Sequence, residues 1–193
     1  MTPVYKLSAN SVKNGRTVYG SMLAGNTAYQ IPGDFESIAT VTVGSGGASS
    51  VSFTSIPSTY THLQIRGNLR ADGNTDFMQF NGDTGANYMR HYVYGAGTSR
   101  TSGGEANAVS CYAGISATVA NTFAPLTIDI YDYANTNKYK TTRSFSGFDQ
   151  NTSWWVAMYS SCWRNTNAIT SITLFAQTSN WSQYTTFALY GVK

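Results

Sequence analysis

Two histidines, two cysteines and nine carboxylates are the side chains in this 193-residue sequence suited to metal or acid–base chemistry, and their spacing argues against both. His62 shares the polar side of an alternating run with Gln64 and Arg66, and His91 lies between Arg90 and Tyr92; neither has a second ligand at metal spacing. There is no Gly-x-Ser-x-Gly elbow, no His-Glu-x-x-His and no glycine-rich loop leading into Lys and Ser or Thr. A glycosidase needs two acids a few ångströms apart. Asp129 and Asp132 fall on opposite parities of one strand and Asp149 ends the next, so they read as solvated edge residues paired with Lys138, Lys140 or Arg143. Asp83, in Asn-Gly-Asp, reads as a turn former. The expectation is a chain with no catalytic residue, no metal and no cofactor, and so not an enzyme.

Aromatic side chains are the other candidates. Fourteen tyrosines and four tryptophans offer faces on which sugar rings stack, and Tyr92, Tyr94 and Trp181, being near loops, are the candidate glycan contacts. The competing reading is that aromatics fill a core or an oligomer interface. Cys111 and Cys162 lie far apart in strand-like runs; a bond between them is open, with free buried thiols the simpler reading.

Composition bounds what can hold these groups. The chain is 41% hydrophobic but only 11% charged, with Thr, Ser, Asn, Gly and Tyr in place of Glu and Lys. Exposed helices need those charges, whereas β-branched and aromatic residues suit a pleated, half-covered surface. The net charge of +3 sits wholly in residues 1–33, where Lys6, Lys13 and Arg16 meet no acid; from Asp34 onward nine basic residues balance nine acidic ones. That is too little for a nucleic-acid footprint, and no apolar run is long enough for a membrane span.

The chain is organised around Tyr60–Arg70: Leu63, Ile65, Gly67 and Leu69 alternate with His62, Gln64, Arg66, Asn68 and Arg70, as in a half-buried strand. Pro57 cannot donate to a ladder and separates this strand from Val51–Ile56. Phe35–Val43 returns through Gly44-Ser-Gly-Gly to Val51. Val109–Val119 alternates with its odd positions, Cys111 among them, inward; Leu126, Ile128 and Ile130 follow the same rule. Gly95–Asn107 reads as a loop, Trp154–Trp163 as a strand covered on both sides, and Tyr184–Val192 as a closing strand. Ten to eleven strands with turns every eight to twelve residues predict an all-β fold, an antiparallel β-sandwich of jelly-roll type over 34–193. Residues 1–33 show no sustained period. Val4, Tyr5, Leu7, Val18, Tyr19, Met22 and Leu23 cannot bury one another; a disordered tail is the plainer reading, and the spaced anchors favour an extended N-terminal arm docked on another subunit, closed by Pro32-Gly33.

Phe53-Thr-Ser-Ile-Pro57, Tyr60-Thr-His-Leu-Gln-Ile-Arg-Gly67, Phe80-Asn-Gly-Asp-Thr-Gly-Ala-Asn-Tyr88 and the ending Phe187-Ala-Leu-Tyr-Gly-Val-Lys193 give the chain its likeness to known proteins. Across most of 35–193 it resembles tailed-bacteriophage virion proteins: head decoration or cement proteins, head fibres and tail-fibre end domains. The resemblance implies a homo-oligomer, commonly a trimer, whose N-terminal arm docks on a capsid or other virion protein while the sandwich projects. The expected function is therefore capsid decoration, with a tail-fibre or receptor-binding module for a host glycan as the alternative, in a virion assembled in the host cytoplasm.

Overall fold

In the computed structural model the described residues are 34–73, 75–151 and 153–193, and they form an all-β sandwich without helices. The arm residues Val4, Tyr5, Leu7, Val18, Tyr19, Met22 and Leu23, and the boundary at Pro32-Gly33, lie outside the described residues.

Twelve strands are present among the described residues, against the ten to eleven expected. They are β1 (Phe35–Thr42), β2 (Ser50–Phe53), β3 (His62–Leu69), β4 (Thr75–Phe80), β5 (Tyr88–Ala96) and β6 (Ser99–Ala108), then β7 (Cys111–Ile115), β8 (Ala124–Tyr131), β9 (Lys140–Gln150), β10 (Ser153–Trp163), β11 (Ile172–Ala176) and β12 (Thr186–Val192). One sheet has the order β1-β12-β3-β8-β9-β10-β5-β6 and the other β2-β11-β4-β7, and every strand pairing is antiparallel. Without the hairpins β5–β6 and β9–β10, the two four-stranded sheets β1-β12-β3-β8 and β2-β11-β4-β7 have the double Greek key order of a jelly roll. The two hairpins lengthen one sheet only.

Alternation places most of the core as the sequence predicts, but Val109 and Val119, read as inward, are exposed, because both lie beyond the ends of β7. Leu63, Ile65 and Leu69 of β3 and Leu126, Ile128 and Ile130 of β8 are all buried, and they face Val51 and Phe53 of β2, Met78 and Phe80 of β4, and Ile172 and Leu174 of β11. Each such side chain contributes roughly 1.5–3 kcal/mol by leaving water.

Two further local readings are corrected. Gly95–Asn107 is not a loop: it holds the end of β5 and most of β6, the outermost strand of the long sheet. As an edge strand exposed over nearly its whole length, β6 buries no row of apolar side chains, so the period-2 signal is missing. Nor is Trp154–Trp163 covered on both sides. The face carrying Trp155, Tyr159 and Trp163 points inward, while Trp154, Val156 and Met158 are exposed.

The long sheet also explains a polar inner face that no alternation rule anticipates. β9 turns Thr142, Ser144 and Ser146 inward, and all three are buried. They meet the open edge of β7 rather than a layer of side chains. The Ile115 amide donates to Ser146 Oγ at 3.0 Å, the Tyr112 amide to Ser161 Oγ of β10 at 3.3 Å, and Ser144 Oγ donates to the Ala113 carbonyl. Hydroxyls thus continue the ladder where strands end, and the edge of the small sheet is sealed. Close approach needs a small residue here: a Cβ at Gly114 would lie 2.8 Å from Leu126 Cδ1 and 3.1 Å from Ser146 Oγ.

Candidate functional site

β7 is only five residues long, so it covers only part of the inner face of β5 and β10. Beyond it, aromatic side chains take the place of a second sheet. Register sets them in rows: Tyr92 lies opposite Tyr159, Tyr94 opposite Ala157, and Trp155 opposite Ala96. Tyr94 stacks on Trp155 with centroids 4.9 Å apart and planes at 29°, and Tyr92 stacks on Tyr94 at 5.6 Å. Tyr112 of β7 meets Tyr92 edge-on at 5.7 Å and Tyr159 at 5.2 Å.

These groups line a cleft of about 340 Å³ together with Thr75 and Ile115. Its walls are aromatic faces bearing phenol hydroxyls, with no charged side chain among the lining residues. Burial raises the pKa of Tyr112 and of Tyr159, so both phenols stay protonated and able to donate at neutral pH. Behind the cleft, Arg90 is clamped to Glu105 of β6 at 2.5 Å and to Ser110 Oγ at 3.0 Å. Its guanidinium lies 4.5 Å from the Tyr112 centroid and 4.9 Å from that of Phe77. That stack fixes Tyr112 from the rear. Apolar faces edged with neutral donors and acceptors are the chemistry that meets a sugar ring, whose C–H groups stack while its hydroxyls bond.

The structure brings two of the three predicted glycan contacts together, Tyr92 and Tyr94, and removes the third. Trp181 is 0% exposed. Its indole closes one end of the sandwich, 4.5 Å from Phe187, with its backbone bridged to Ala48 and Ala71. A loop position suggested exposure, but this loop folds inward because the gap between the sheets there needs a large plug. Three aromatic cleft residues escaped the sequence reading: Tyr112, Trp155 and Tyr159. Trp155 and Tyr159 share a parity, yet only the pairing of β10 with β5 puts them beside Tyr92 and Tyr94.

The remaining polar candidates stay apart. Asp129 accepts a hydrogen bond from Gln64 Nε2 at 2.7 Å, Asp132 pairs with Lys138 at 2.5 Å, and Asp149 sits near the end of β9. Lys140 instead is buried and donates to the carbonyls of Asn135, Lys138 and Thr166. His62 Nδ1 accepts from the Asp132 amide at 3.0 Å, whereas His91 is exposed on the opposite end of the sheet. Asp83 does form a turn: it accepts from the Gly85 amide, Asn87 Nδ2 and Trp163 Nε1. Burial works against its charge, but those donors outweigh it and hold the carboxyl below its usual pKa. Among the described residues no three His, Cys, Asp or Glu side chains are grouped to hold a metal ion.

Sequence reasoning also missed Asp76 of β4, which is wholly buried. It accepts from Ser116 Oγ at 2.7 Å and from Trp181 Nε1 at 2.8 Å, and burial pushes its pKa up to about 7.

Compared with known proteins, the chain matches no family model, no curated protein and no solved structure.

Proposed function

We propose that this chain is a structural protein of a tailed-bacteriophage virion, a homo-oligomeric jelly roll displayed on the particle that recognises a neutral glycan. The turn-and-strand motifs from Phe53 to Tyr88 and at Phe187–Lys193 support the particle context by resemblance. The observation that carries the recognition role is the uncharged cleft in which Tyr92, Tyr94, Tyr112, Trp155 and Tyr159 converge. No turnover belongs to this reading: the cleft binds and releases its ligand.

A glycan array probed with the full chain tests it. Binding to neutral oligosaccharides that falls at least tenfold in Tyr94→Ala and in Trp155→Ala, but not in a change at exposed Tyr139, is the expected result. No binding, or binding indifferent to both substitutions, overturns it.

A second reading, capsid decoration, is favoured by the composition of residues 1–33, whose apolar anchors and unbalanced Lys6, Lys13 and Arg16 suit an arm held on a neighbouring subunit. Removing residues 1–33 then abolishes binding to intact particles while the jelly roll still folds. Undiminished binding overturns that role, and immunogold labelling of whole particles separates head from tail.

A further inference from the structure

The outer face of the long sheet carries a row of side chains that a solvated face does not need. Phe145 of β9, Met158 of β10 and Val93 of β5 are directly opposite one another, and they are 54%, 49% and 53% exposed. Trp154 and Val156 extend the row along β10, each 49% exposed. Half of each of these five side chains amounts to on the order of 500 Å² of contiguous apolar surface, at the upper end of what a monomer tolerates.

Three features of this face point to one occupant, a second copy of the chain. The first is charge. Along β9 the outward residues after Thr141 are Arg143, Phe145, Gly147 and Asp149, a basic and an acidic residue flanking an apolar middle. Neither Arg143 nor Asp149 forms an ion pair among the described residues. The second is shape. Pairing of β8 with β9 stops at Leu126 and Ser146, and beyond it opens a hollow of about 410 Å³ lined by Phe123, Pro125, Thr127, Gly147 and Asp149, with Leu126, Phe148 and Trp155 from the inward-facing positions at its floor. Phe145 stands at its rim. The third is size: the apolar row of ~500 Å² alone is more than half of the ~800 Å² that one partner contributes to a stable interface, and it is central.

We propose that two copies pack outer face to outer face about a two-fold axis across the line Leu126–Ser146–Ala157–Tyr94, with Arg143 of each copy meeting Asp149 of the other. That line is one register row through β8, β9, β10 and β5. An axis lying along it reverses strand direction, so residues equally far from Ser146 exchange places. Phe145 then enters the partner's hollow over Gly147, Val156 meets Met158, and Arg143 meets Asp149. Sheets packed face to face cross at about 30°, which moves groups ~10 Å from the axis sideways by ~5 Å, within reach of an arginine side chain. The contact is isologous, as a closed dimer requires. Its outward side chains lie on the face opposite the cleft tyrosines, only Trp155 lines both the hollow and the cleft, and the contact stands whether or not the cleft binds a glycan.

Sedimentation velocity and light scattering of the full chain at tens of micromolar test the proposal. The expected mass is twice the 20.9 kDa of one chain. Arg143→Asp and Asp149→Arg each raise the dimer dissociation constant at least tenfold, since each creates two like-charge contacts. The variant carrying both changes returns to within about threefold of the parent, because the swapped charges meet again. Circular dichroism and melting of the exposed-charge variants show that the fold is kept. A monomer at these concentrations, a three-fold mass, or a double variant no tighter than the singles overturns the proposal. A monomer that still binds glycan separates its failure from that of the recognition role.

Discussion

Asp76 on β4 and Trp181 in the segment before β12 are joined by a 2.8 Å hydrogen bond from the indole Nε1 to the carboxyl Oδ1, both side chains wholly buried. The bond ties the plug at the end of the sandwich to a strand at its centre. It also places a titratable group where water does not reach.

Acid therefore stabilises this part of the fold. Burial raises the Asp76 pKa from 3.8 to about 7, so the folded state holds its proton more tightly than the unfolded chain does. This contribution is complete below pH ~4, declines as pH rises, and is lost through pH ~7. About three units correspond to a contribution on the order of 4 kcal/mol. Asp76→Asn keeps an acceptor for Trp181 and a partner for Ser116. Thermal melts from pH 4 to 8 are expected to show a decline in the parent chain that is shallower in Asp76→Asn, with the variant the more stable at pH 8. Parallel curves would contradict this.

The serines of β9 act on the β7 edge. Ser146→Ala leaves the buried Ile115 amide without an acceptor, at a cost of about 1–3 kcal/mol. Urea unfolding measures the loss, and faster hydrogen exchange at Ile115 than at Met78 in the parent-to-variant comparison locates it. Gly114→Ala crowds Leu126 and Ser146 from the other side and is expected to cost a similar ~1–3 kcal/mol.

Trp181 and Tyr94 separate stability from recognition. Trp181→Ala empties a fully buried site and is expected to cost about 3–5 kcal/mol. Tyr94→Ala, at a half-buried cleft position, is expected to cost about 1 kcal/mol or less while removing the stacking face offered to a sugar. Denaturation midpoints beside glycan binding for the two variants give the comparison; equal stability losses would place Tyr94 in the core.

The two cysteines are free, with Cys111 buried and Cys162 partly so. Burial raises the Cys111 pKa to about 12, so almost no thiolate forms at neutral pH. Thiol labelling of the native protein is expected to modify Cys162 slowly and Cys111 only on unfolding, as read by peptide mass spectrometry. Rapid labelling of Cys111 would mean that β7 opens readily.

Alternation along the strands determined a good deal by itself. The parity of Leu63–Leu69, Cys111–Ala117 and Leu126–Ile130 assigned their inward faces, because a half-covered strand must repeat every two residues. Turn residues marked the corners, and the interval between them pointed to a two-layer sandwich. Those signals are local, and each strand carries its own. What required tertiary structure is everything that depends on which strands become neighbours. The aromatic cleft exists because β10 pairs with β5 and because β7 stops short. β6 was invisible because this edge strand is exposed on both faces over nearly its whole length and buries no row of apolar side chains. Ser144 and Ser146 look like surface residues until the edge of β7 is brought against them, and Trp181 looks like a loop aromatic until the gap it fills has formed. Registry between distant strands is a property of the folded chain, and no residue carries a record of its partner.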